Sequence, residues 1–102
     1  METIFDITDD ITKFQTSNVV KAEAKGKNVL ILVKLDSPQK APDKTICHYQ
    51  LEYRWLSKPI ETEQDVKQQN WVCVQGNDFT FFTKEEVKDY KDKSLFDLFN
   101  LF

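Results

Sequence analysis

Residues Thr45 to Leu56, TICHYQLEYRWL, decide the fold class. Cys47, Tyr49, Leu51, Tyr53 and Trp55 alternate there with Ile46, His48, Gln50, Glu52, Arg54 and Leu56. Successive strand side chains point to opposite faces of a sheet. The first set therefore makes an apolar, aromatic face and the second a mostly polar one. This predicts a sheet covered on one side and open on the other. The run is long for one strand, so a bend, or a crossing between the halves of a barrel, is expected.

Upstream, Asn18 to Ala24 and Asn28 to Leu35 read as two strands joined across Lys25-Gly26-Lys27. Gly26 supplies the positive φ that a tight hairpin needs. In the first strand Val20, Ala22 and Ala24 face one way; Val19, Lys21, Glu23 and Lys25 face the other. The second, NVLILVKL, is apolar on both faces until Lys34. That marks a central strand covered above and below, or a barrel wall. Asp36 to Lys44, DSPQKAPDK, reads as a loop because of its prolines, Ser37 and aspartates.

Downstream, Ser57 to Asn70 is polar apart from Ile60 and Val66. Ser57 as a cap with Pro59 in the first turn would start a surface helix; a long connection with one helical turn is the alternative. Trp71 to Gln75 and Phe79 to Thr83 read as a hairpin around Gly76-Asn77-Asp78. Thr83-Lys84-Glu85-Glu86 has capping-box spacing, so a helix starts at Lys84 with Val87 and Tyr90 inward. Ser94 to Asp97 repeats that pattern. At the other end, Ile4, Ile7, Ile11 and Phe14 follow helical spacing, with Asp6 or Thr8 as cap and Asp9 and Asp10 near the N-terminal dipole. An irregular or extended arm is the alternative.

These elements predict a single α+β domain over residues 1–102. Its centre is a strongly bent antiparallel sheet or small open barrel of about five strands. A C-terminal helical segment packs on it, with a short N-terminal helix.

Composition narrows the function. Apolar residues make up 40% and charged residues 30%, ordinary for a globular domain. The 14 basic and 17 acidic side chains leave a net charge of -3, against the basic excess of a non-specific nucleic-acid binder. Lysines still concentrate between Lys21 and Lys44. Lys21, Lys25, Lys27 and Lys34 are the candidate nucleic-acid face, with Tyr49, Tyr53, Trp55 and Trp71 as stacking groups. Core packing is the competing role for the aromatics, and strand-edge solubility for the lysines. No signal peptide or membrane span is legible, so a cytoplasmic protein without membrane contact is expected.

Catalytic and metal chemistry lack a pattern. Cys47 and Cys73 show no CxxC spacing, and His48 is the single histidine, too few ligands for a structural zinc site. The cysteines read as buried thiols. Cys47 and His48 are adjacent, so they point to opposite faces and form no dyad with each other. His48 reads as a solvent-facing sheet residue. No phosphate-binding, dinucleotide-binding, nucleophile-elbow or zinc-protease motif occurs, and no cofactor is expected.

The tail, SLFDLFNLF, stands out. At about 100° per residue its apolar side chains cover roughly 220° of a helical wheel, more than one sheet face covers. Phe96, Phe99, Leu101 and Phe102 are therefore the candidate protein-contact residues, with Phe96 and Leu101 at the margins of the arc. The expected function is a small non-catalytic protein-binding module, an inhibitor, immunity-type factor or accessory subunit. Its partner is another protein chain, self or different. A nucleic-acid module is the alternative, and a small enzyme without a recognisable motif stands third.

Overall fold

The computed structural model describes residues 3–13, 18–43, 46–68, 74–88 and 92–99, for Phe99 the backbone only. The fold is α+β: a four-stranded open antiparallel sheet with short helices on both faces. Four strands, β1 (Ile4–Asp6), β2 (Val19–Gln39), β3 (Cys47–Ile60) and β4 (Val74–Phe82), lie in that order across the sheet. The helices are α1 (Thr8–Thr12), α2 (Glu63–Lys67), α3 (Lys84–Val87) and α4 (Leu95–Phe99).

The centre of the sheet is β2. It runs unbroken over 21 residues, and straight these would reach about 70 Å. The longest dimension of the molecule is 40 Å, so β2 doubles back. Gly26, at φ 59°, lies midway between Asn18 and Lys34. The Lys34 N–H donates to the Asn18 carbonyl at 2.9 Å, and the Asn18 amide donates to Asp36 at 2.9 Å. The reversal expected at Gly26 thus occurs within β2, whose two arms lie side by side. Residues before it pair with β1 (Ile4↔Lys25 to Asp6↔Glu23), and residues after it pair with β3 (Asn28↔Trp55 to Lys34↔Tyr49).

As its two-sided apolar pattern requires, β2 is buried on both faces. Val29 and Ile31 join Ile7, Ile11, Ala22, Ala24, Leu56, Ile60 and Val66 in a core under α1 and α2. Leu30 and Leu32 join Leu51, Phe82, Val87, Leu95, Phe96 and Leu98 in a second core under α3 and α4. Each Val, Leu, Ile or Phe side chain so buried contributes about 1.5–3 kcal/mol.

Four expectations are corrected. The loop from Asp36 begins later, because β2 runs on to Gln39; Pro38 sits where the pairing with β3 is already irregular. The strand from Cys47 continues through Ser57 and Pro59 to Ile60, because Leu56 and Ile60 both reach the first core. The helix after it starts only at Glu63, capped reciprocally by Thr62 and Asp65. The hairpin around Gly76-Asn77-Asp78 does not form: these residues pair with Trp55, Arg54 and Tyr53 inside a continuous β4. The Trp55 ring lies on Gly76, where any Cβ would collide with it. That contact holds Gly76 flat in the ladder and removes the turn.

At the N-terminus, Ile4 belongs to strand β1, and the helix begins after Ile7. Asp6 accepts from the Thr8 N–H at 2.9 Å, while the Thr8 hydroxyl accepts from the Ala22 N–H at 2.9 Å. These bonds fix the helix start against β2 and bury Ile7 and Ile11; Phe14 lies outside the described residues. Helix α3 starts at Lys84 with the Thr83–Glu86 capping box formed, and Val87 is buried; Tyr90 lies outside the described residues.

Candidate interaction surface

Helix α1 packs on β2, and α2 meets β3 near Leu56 and Ile60, beyond the stretch of β3 from Gln50 to Arg54. On it Gln50, Glu52 and Arg54 stand opposite Phe81, Phe79 and Asn77. Cross-strand partners share a face, so this patch mixes charge and aromatic surface. Glu52 accepts from Arg54 Nε at 2.8 Å, from Arg54 Nη2 at 2.9 Å and from Asn77 Nδ2 at 3.0 Å. Burial pushes the Glu52 carboxyl up, but the bonds from Arg54 and Asn77 and the guanidinium charge outweigh it. The carboxyl is held below its usual range.

Around this polar centre the surface is apolar. Phe79 is 50% exposed and Val74 of the same strand is exposed too; Ile46, at the approach to β3, and Trp55, on the opposite face beside Tyr53, are also exposed. Four of the five exposed large hydrophobics among the described residues thus lie on β3 and β4 or at the approach to β3. Ala41, Pro42 and Asp43 wall a shallow hollow of about 290 Å³ against Phe79, Thr80 and Phe81. Strand β4 is an edge of the sheet. Its Phe79 N–H donates to the neighbouring Asp78 carboxylate at 2.8 Å, so that amide is satisfied within the chain.

The tail is placed in part. Ser94 Oγ accepts from the Phe96 N–H at 3.1 Å and starts α4 as its spacing predicts. Phe96 was expected at the margin of the apolar arc; it is only 8% exposed, packed in the second core with Lys25 Nζ 5.5 Å above its ring. Leu95 and Leu98 fill the same core. The Phe99 side chain, Leu101 and Phe102 lie outside the described residues.

The four candidate lysines differ in their surroundings. Lys21 Nζ donates to the Lys93 carbonyl at 3.0 Å and lies 3.5 Å from Glu23; Lys25 covers Phe96; Lys27 and Lys34 are exposed. Tyr49 and Tyr53 pack against the second core, and the Tyr53 hydroxyl donates to Asn28 at 2.7 Å. Trp71 lies outside the described residues. Cys47 is a free, buried thiol, and Cys73 lies outside the described residues. His48 is half-buried rather than solvent-facing, and its buried Nδ1 has no hydrogen-bond partner among the described residues. Among the described residues no cluster could hold a metal ion, and no helix is long and apolar enough to cross a membrane.

Sequence reasoning missed Phe79 and Phe81 as surface groups because it spent Gly76 to Asp78 on a turn. The signal was present: Asn77, Phe79 and Phe81 keep strand alternation through those residues. Comparison with family models, with curated proteins and with solved structures gives no match.

Proposed function

We propose that this protein is a small non-catalytic protein-binding module, of the inhibitor, immunity-type or accessory-subunit kind. It binds its partner through the outer face and edge of β3 and β4. The observation that carries this reading is the exposure of two large apolar side chains, Phe79 and Val74, on the edge strand β4. Single exposed hydrophobics are ordinary; a group of them around an edge strand marks an interaction surface. The Glu52–Arg54–Asn77 network supplies directional polar contacts at its centre. The tail residues Phe99, Leu101 and Phe102 are a second contact in this reading.

The test is affinity purification from the native host with the parent, a Phe79→Ser, Val74→Ser variant and a Leu101→Ser, Phe102→Ser variant. A protein that the parent captures at stoichiometric level should be lost with the first variant while its melting temperature stays within a few degrees. Equal capture by parent and first variant would overturn the assignment to β3 and β4. Capture of nucleic acid alone, released by moderate salt, would replace the reading with the nucleic-acid alternative.

A further inference from the structure

A second surface lies at the opposite edge of the sheet, along β1, and its chemistry differs. A cleft of about 560 Å³ runs beside Thr3, Ile4, Phe5 and Asp6, with α2 as its far wall. Its apolar lining comes from Phe5, which packs on the first core, and the buried Val66 on one face, and from Ile4, 41% exposed, on the other face of β1. Its rim is acidic. Asp6, Asp10 and Glu63 line it, Asp10 and Glu63 from α1 and α2, against the single ammonium of Lys67. Asp6 already accepts from the Thr8 amide and hydroxyl. The side chains of Asp10 and Glu63 make no hydrogen bond or ion pair with any described residue.

We infer that this cleft takes an extended basic peptide segment of a partner protein, added as a strand beside β1. Three features fix the class of ligand. First, β1 is an edge, so its outward backbone groups can pair with an added strand. Second, Phe5 faces the α1–α2 side while Ile4 and Asp6 face the other, as their partners Ala24, Lys25 and Glu23 show. An added strand therefore presents alternate residues to Asp10 and Glu63 on one face and to Ile4 on the other. Lysine or arginine suits the first face, and an aliphatic residue suits the second. Third, a long cationic side chain can lay its methylene stem along Val66 while its head reaches the unpaired carboxylates. An acidic or uniformly apolar strand would leave those carboxylates uncompensated. This inference is independent of the β3–β4 reading, because the two surfaces occupy opposite edges of the sheet.

The test uses the full chain and two synthetic peptides, acetyl-Lys-Val-Lys-Val-Lys-Val-amide and its Glu-Val counterpart, titrated by amide NMR at low salt. The Lys-Val peptide should shift the amides of Ile4 to Asp6 and of α2 in a saturable way. The Glu-Val peptide should not. An Asp10→Asn, Glu63→Gln variant, whose changes are at the surface, should keep its dispersed spectrum and bind about fivefold more weakly. Binding should also weaken toward about 0.15 M salt. Equal binding of the two peptides, unchanged affinity in the double variant, or shifts confined to β3 and β4 would each overturn the proposal.

Discussion

Glu52 shows how one side chain orders a surface. It sits on the open face of β3, yet only 13% of its side chain is exposed, because Arg54 folds back on it and Asn77 reaches it from β4. Its partners are donors to the ionised form, so its folded carboxyl titrates below the usual glutamate range. A carboxyl whose folded value is depressed adds stability that is complete above its unfolded value and disappears as pH falls through the folded one. Glu52→Gln is expected to cost about 1–2 kcal/mol at neutral pH, the worth of charge-assisted hydrogen bonds. That difference should vanish once the parent's Glu52 is protonated. Urea unfolding of both proteins, followed from pH 7 down to the lowest pH at which the parent still folds, measures it; a difference that stays constant while NMR shows the Glu52 carboxyl protonating would show that the cost is steric.

At the scale of the element, α4 is too short to be stable alone, and its position depends on a carboxylate from another strand. Glu23 is 6% exposed and is the single buried charged residue among those described. It accepts from the Leu95 N–H at 2.6 Å and from Ser94 Oγ at 2.8 Å, with Lys21 3.5 Å away. An orphan amide at the start of α4 is thus satisfied by β2, and negative charge lies where the helix dipole favours it. Glu23→Ala is expected to cost about 3 kcal/mol and to deprotect the amides of α4 before those of β3. Glu23→Gln, which keeps one acceptor oxygen, should cost less. Hydrogen exchange read residue by residue checks both, and unchanged protection of α4 in Glu23→Ala would show that Leu95, Phe96 and Leu98 suffice to hold it.

The whole molecule has two cores separated by one sheet. Leu30 and Ile31 are neighbours in sequence but bury into opposite cores. Leu30→Ala should cost about 2–5 kcal/mol, and Ile31→Val about 0.5–1.5 kcal/mol. Because the two side chains share no packing partner, the double variant should equal the sum within about 0.5 kcal/mol. Equilibrium unfolding of the four proteins decides. A larger coupling would mean that a cavity on one face shifts the backbone of β2 and is felt on the other.

Local chemistry alone determined much of this. The alternation from Cys47 to Trp55 announced a strand, and the two-sided apolar run from Val29 to Val33 announced a sheet covered above and below. Gly26 announced a reversal, and Thr83 and Ser94 announced two helix starts. Each is set by the covalent period of the chain or by a bond spanning two or three residues. What lay between distant residues was decided only in three dimensions. Gly76-Asn77-Asp78 has turn chemistry, but Trp55 covering Gly76 and Glu52 bonding Asn77 make it strand. Pro59 has the look of a helix start, but burial of Leu56 and Ile60 carries β3 past it. Phe96 lies at the edge of an apolar arc, but Lys25 and the second core enclose it. The exposed apolar edge at β4 and the acidic cleft at β1 arise the same way. Both depend on which strands are left at the margins of the sheet, and strand order is a property of the assembled fold.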